Sequence, residues 1–136
     1  MIFTIPGNPV GKGRPRATTI NGMARMYTPK KTASYETLVV MAYQQAGGVK
    51  LEGNLYMHIR AVFEMPLSWS MKKRNMTDGK FCSKKPDADN ILKIIADALN
   101  GVAYHDDAAI GAASVEKRWG QDGSVVVELF TMNEVG

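Results

Sequence analysis

The sequence is poor in the residues that build redox, zinc and nucleophile sites. Its one cysteine, Cys82, excludes an intrachain disulfide and fits a reducing, intracellular setting. Its two histidines, His58 and His105, stand apart from any cysteine pair, so the usual zinc spacings are absent. No Ser/His/Asp or Cys/His set is legible, and Cys82 lies among basic residues with no identifiable base beside it. Gly7 to Gly13 is glycine-rich but follows neither GxGxxG nor GxxxxGK[ST], which excludes the common nucleotide loops. No apolar run approaches the ~20 residues of a membrane span. The start, MIFTIPGNPVGKGRPR, lacks the charged-then-apolar order of a signal peptide. Repeats, heptads and low-complexity tracts are missing as well. The expectation is a soluble, cytoplasmic protein of one domain, residues 1–136, with no membrane association.

Acid is scarce where base is plentiful. The first acidic residue is Glu36, whereas residues 1–31 already hold six basic ones: Lys12, Arg14, Arg16, Arg25, Lys30 and Lys31. Residues 71–85 add Lys72, Lys73, Arg74, Lys80, Lys84 and Lys85 against Asp78 alone. Residues 101–136 reverse the balance, with two basic and six acidic residues. Basic clusters of this kind suit a phosphate backbone, and they equally make a solvated surface.

Local patterns predict the elements. Residues 1–5 form a short β-prone run, and the prolines and glycines of 6–16 exclude both helix and central strand. Asn21-Gly22 predicts a hairpin over 16–27. Thr28-Pro29 reads as an N-cap and a first helical proline, opening a helix to Ala46 whose buried stripe is Tyr35, Leu38, Ala42 and Ala46. Leu55, Met57, Ile59, Ala61 and Phe63 alternate with polar residues, which predicts a half-buried strand. Residues 66–85 read as a long basic loop, functional or mobile, with Trp69 and Phe81 exposed in it. Ile91, Ile94, Ile95 and Ala98 mark a second helix over 89–99 that Asn100-Gly101 stops. Strands over 110–119 and 124–132, joined at Gln121-Asp122-Gly123, predict an antiparallel hairpin. The sum is an α+β fold: a mostly antiparallel or mixed sheet with two main helices on one face.

The informative segment is Lys84-Lys85-Pro86-Asp87-Ala88-Asp89-Asn90-Ile91-Leu92-Lys93, followed by Tyr104-His105-Asp106-Asp107. Asp87 and Asp89 flank the expected helix start, where a carboxylate is favoured as a cap and by the helix dipole. That explains one aspartate well and two tolerably, but not Asp106-Asp107 after a short return. A helix of this length brings Asp106 or Asp107 back toward Asp87 and Asp89. Three converging carboxylates require a cation, and oxygen-only ligands suit Mg²⁺ or Mn²⁺. Asp89, Lys93 and Asp97 share a helix face. Lys93 is then either an ordinary partner of Asp97 or a cation aimed at a scissile phosphate. His105 reads as a neighbour of the acidic pair, and Phe81 as either a core residue or a side chain that stacks on bases.

At these residues the chain resembles the RusA family of Holliday junction resolvases of bacteria, their phages and prophages. The resemblance rests on KPDADNILKIIADALNG at 85–101, on Asp106-Asp107 and Ile110, and on the basic loop PGNPVGKGRPR. It implies an α+β homodimer that binds four-way DNA junctions and cuts symmetrically related strands as a Mg²⁺-dependent endonuclease. It implies Asp87, Asp89 and Asp107 as catalytic metal ligands, Lys93 as the catalytic lysine, and Asp106 as a further candidate ligand. Lys12, Arg14, Arg16, Lys72, Lys73, Arg74, Lys80, Lys84 and Lys85 are the expected contacts to DNA. Two rivals stand beside this reading: a non-catalytic DNA- or RNA-binding module, and a general metal-dependent nuclease for flaps or other branched nucleic acid.

Overall fold

The computed structural model describes residues 1–132, the side chain of Arg16 excepted. Its centre is the alternating strand. β1 (Ile2–Pro6), β2 (Arg16–Ile20) and β3 (Met23–Tyr27) lead to helix α1 (Lys30–Gln45) and the ten-residue β4 (Leu55–Glu64). Helices α2 (Met71–Thr77) and α3 (Ala88–Leu99) follow, then a 3₁₀ turn at Asp107–Ala109, β5 (Ile110–Gly120) and β6 (Ser124–Thr131). Leu55, Met57, Ile59, Ala61 and Phe63 are all buried, as a period of two requires.

The main sheet has the order β1-β6-β4-β5, and β2 and β3 form a separate two-stranded ribbon. The expected β5–β6 hairpin does not form: β4 lies between them, parallel to β5 and antiparallel to β6. The short link reverses the chain, but it steps across the end of β4, so that Gly120 pairs with Glu64 and Ser124 with Val62. The crossover through α3 had already returned β5 parallel to β4 on one edge. β6 takes the other edge and presents its own free edge to β1.

α1 packs on β1 and α3, and α3 packs on β5. α3 buries Ile91, Ile94, Ile95, Ala98 and Leu99, each branched side chain contributing about 1.5–3 kcal/mol of burial. α1 differs from expectation in detail. Its cap falls on Pro29, without a side-chain hydrogen bond, and its buried stripe is Thr32, Tyr35, Val39 and Tyr43. The larger Val39 and Tyr43 fill the space over β1, where Tyr43 meets Phe3 edge-to-face at 5.2 Å, and Ala46 is left in solvent.

Residues 66–85 are not all loop. Ser70 caps α2, its hydroxyl accepting from the Lys73 N–H, and Trp69 packs on Trp119 at 5.1 Å rather than standing free among the charges. No helix among the described residues is long and apolar enough to cross a membrane.

Candidate active site

The head of α3 and the loop between β1 and β2 are built against each other. The Lys12 N–H donates to the Asn90 carbonyl at 3.1 Å, and the Gly13 N–H donates to the buried Thr32 hydroxyl at 3.0 Å. Gly11 fits only because it lacks a side chain: a Cβ there would lie 2.7 Å from Pro86 Cβ and 3.2 Å from Asn90 Cβ. The contact leaves two adjoining clefts. One, of about 650 Å³, brings Arg14 and Lys31 to Lys85 and Asp87. The other, of about 560 Å³, brings Lys12 and Arg14 to Asp89, Lys93 and Asp97.

Asp87 occupies the N-cap position of α3, yet its carboxylate makes no capping hydrogen bond. The local task that would explain the residue is therefore unfilled. Asp89 stands exposed in the first turn. One turn on, the Lys93 ammonium lies 3.1 Å from Asp97 and remains largely exposed. Asp97 also pairs with Lys12 at 3.1 Å, and Lys12 pairs with Glu36 at 3.2 Å. Burial alone lowers the pKa of Lys12, but its hydrogen bonds to Asp97 and Glu36 outweigh that and hold the ammonium above its ordinary value.

The acidic pair sits at the other end of the helix. The Asn100 side-chain oxygen accepts from the Asp107 N–H at 2.9 Å, and the Asp106 carboxylate caps the 3₁₀ turn by accepting from the Ala108 N–H at 3.1 Å. That Ala108 bond, with a hydrogen bond from the Asp107 carboxyl, holds Asp106 below the usual carboxylate range. The same carboxyl–carboxyl bond raises Asp107, helped by slight burial and by the negative charges of Asp106 and Asp97, while Lys93 opposes it. Asp107 thus lies within reach of the charges on Lys93 and Asp97.

The sites are strung along the helix rather than gathered at one point. From Asp89 to Asp97 the backbone rises ~12 Å. Among the described residues, no three acidic, histidine or cysteine side chains form a ready-made metal site. The donor chemistry nevertheless fits a hard cation. Asp87 and Asp89 are exposed carboxylates, and Asp107 is already crowded by negative charge.

The other expected contacts scatter. Lys72, Lys80, Lys84 and Lys85 are exposed. Lys73 covers the Trp69 ring at 4.1 Å, and Arg74 donates to the Pro66 carbonyl at 3.0 Å. Arg14 is exposed beside the clefts, whereas the Arg16 side chain lies outside what is described. Phe81 is exposed, with the Arg118 guanidinium 3.8 Å from its ring centre. His58 belongs to the open face of the sheet, bonded to Ser114 and 3.5 Å from Glu116. Cys82 is buried. The expected pairing of Asp97 with Lys93 is present, and Asp97 in addition ties the β1–β2 loop to α3 through Lys12. Its helical spacing from Lys93 was legible, but its partnership with Lys12 needed the fold.

Two comparisons bear on this arrangement. A family model described as Endodeoxyribonuclease RusA matches residues 6–130. The chain is also 32% identical over 130 residues to YqaN, an uncharacterized protein of Bacillus subtilis (strain 168), in a match that covers 92% of each chain.

Proposed function

The chain belongs to the RusA endodeoxyribonuclease family, and from that premise we propose that it is a Mg²⁺-dependent enzyme that resolves four-way DNA junctions as a homodimer. The observation that carries the reading is the docking of the basic β1–β2 loop on the head of α3. It puts Arg14 beside Asp89 and Lys93 in one cleft and beside Asp87 in the other. Cations that hold a phosphate backbone and carboxylates that hold a metal then face the same strand.

Asp87 and Asp89 at the head of α3 and Asp107 beyond its far end are the residues that, as carboxylates, would hold Mg²⁺, with Asp106 a further candidate ligand. When bound, the ion polarises a phosphate oxygen and activates water; Mn²⁺, with the same oxygen preference, would substitute. Lys93 stabilises the charge that develops on the phosphate. Its pairing with Asp97 does not prevent this, because an exposed i,i+4 pair contributes only about 0.3–0.5 kcal/mol. Arg14, Arg16, Lys72, Lys73, Arg74, Lys80, Lys84 and Lys85 supply backbone attraction. Lys12, engaged with Asp97 and Glu36, acts on the loop's position as well as on the field around it. Two symmetric cuts need two sites related by a two-fold axis, hence the dimer.

The test is cleavage of a synthetic four-way junction beside flap and linear duplexes of the same sequence, with and without Mg²⁺. Paired cuts in the junction that require metal support the reading. Equal cutting of the three substrates indicates a general nuclease, and tight binding without metal-dependent cutting indicates a binding module.

A further inference from the structure

Apart from Arg16 at its base, the β2–β3 ribbon has no task in the proposed function. Among the described residues its two strands pair only with each other, and no other element makes more than marginal contact with it. A lone two-stranded ribbon is marginally stable in water. This one nevertheless exposes Ile20, Met23, Met26 and Tyr27, four large apolar side chains. The register sorts the faces. Thr18 opposes Arg25 and Ile20 opposes Met23, and Tyr27 lies on that same face; Ala17, Met26, Thr19 and Ala24 form the other. Asn21 and Gly22 both have positive φ, at 53° and 76°, so the tip is a tight two-residue turn flanked by Ile20 and Met23.

Two observations say what covers this surface. First, the ribbon springs from the rim of the candidate site at both ends. Arg14 and Pro15, just before β2, and Pro29 and Lys31, just after β3, line the cleft that holds Asp87. Second, the chain that forms and flanks it carries only basic charges. Arg25 makes no ion pair among the described residues, and no acidic residue precedes Glu36. A two-fold axis through the ribbon would set this basic face against itself. A polyanion meets it with opposite charge.

We propose that the β2–β3 ribbon is an arm that enters a groove of the duplex beside the cut phosphate, with Arg25 on the backbone and Ile20 and Met23 wedged at a base step. This rests on the function proposed above. A β-ribbon fits a duplex groove, and apolar side chains at base steps unstack and kink DNA. Five residues in extended conformation reach about 17 Å, which places the wedge about five base pairs along the arm from the cleft.

The experiment uses the full chain and a four-way junction carrying 2-aminopurine at successive positions along one arm, bound without divalent metal. The wild type is expected to raise fluorescence at one step about five base pairs from the cut. Ile20→Ser with Met23→Ser is expected to abolish that rise and to weaken binding about tenfold. Arg25→Ala is expected to make the dependence of log K on log salt shallower by about 0.9, one phosphate contact. Both variants keep the wild-type melting temperature, since the replaced side chains are exposed. A wild type that binds and cuts junctions with no unstacked position, or variants that bind as the wild type does, overturns the arm alone. Loss of dimer by the variants in DNA-free sedimentation also overturns it, because the ribbon then covers a second copy. A wild type that neither binds nor cuts junctions overturns the proposed function and the arm with it.

Discussion

Replacing Gly11 by alanine adds one methyl group where the loop and α3 leave no room. The new Cβ would stand 2.7 Å from Pro86 Cβ and 3.2 Å from Asn90 Cβ. Neither atom can rotate away, since one belongs to a proline ring and the other is fixed to the helix backbone. The loop must therefore lift by ~1 Å, which takes the Lys12 N–H to Asn90 bond, now 3.1 Å, beyond hydrogen-bonding range. The bond contributes about 0.5–1.5 kcal/mol. Overpacking adds about 1–3 kcal/mol. The stiffer unfolded chain offsets about 0.4–1 kcal/mol. The net expectation is a loss of about 2 kcal/mol, or ~6 °C of melting temperature for a chain of this size. Junction affinity should fall with it, because Arg14 rides on the lifted loop. Gly111→Ala is the control, since its Cβ would meet the flexible end of Met132 at 3.3 Å and the Leu55 carbonyl oxygen at an ordinary 3.9 Å. Thermal melting of both variants checks the reasoning. If Gly11→Ala melts with Gly111→Ala and binds junctions normally, the loop is not seated on α3 as described.

Asp87→Asn, Asp89→Asn and Asp107→Asn should each abolish cutting while junction binding stays near normal or tightens; wild-type cleavage by any of them would remove that residue from the site. Lys93→Ala should cost at most about 0.5 kcal/mol of stability but slow single-turnover cleavage on the order of 10²-fold; a rate within threefold of wild type would leave Lys93 as a surface partner of Asp97. Lys12 sets a pH signature. Its folded pKa lies above the ordinary 10.5, so its contribution is complete below that pH and is lost as pH rises through the raised value. The stability gap between wild type and Lys12→Met, about 1 kcal/mol at most in urea titrations, should stay flat through neutral pH and shrink above pH ~10.5; a gap that widens there contradicts the pairing.

The sequence made strands and helices legible where burial imposes a period. Leu55 to Phe63 alternate because one sheet face is covered, and Ile91 to Leu99 repeat because α3 has one buried side. α2 escaped notice for the same reason, since it buries nothing and only its Ser70 cap announces it. The position of β6 across β4 was not legible, because a short turn fixes a reversal of direction but not the edge on which the strand lands. In the site, the aspartates at the head of α3 stood out against their capping role. The Lys12–Asp97 pair did not, since nothing local links a glycine-rich loop to a residue late in a helix.

The pairing of β1 with β6 also fixes an order of events during synthesis. Among the described residues β1 has no other neighbour in the sheet, and Ile2 lies opposite Glu128. A nascent chain therefore carries its first strand unpaired until nearly the whole sequence has left the ribosome. The loop that follows β1 is anchored at that end by the same pairing, and through the Gly7 N–H to the Gly123 carbonyl. Such a distant contact slows closure, because the intervening chain must be ordered first. The carboxylates of α3 are made well before the basic loop is held against them. The cleft is thus among the last features to be completed as the chain is made.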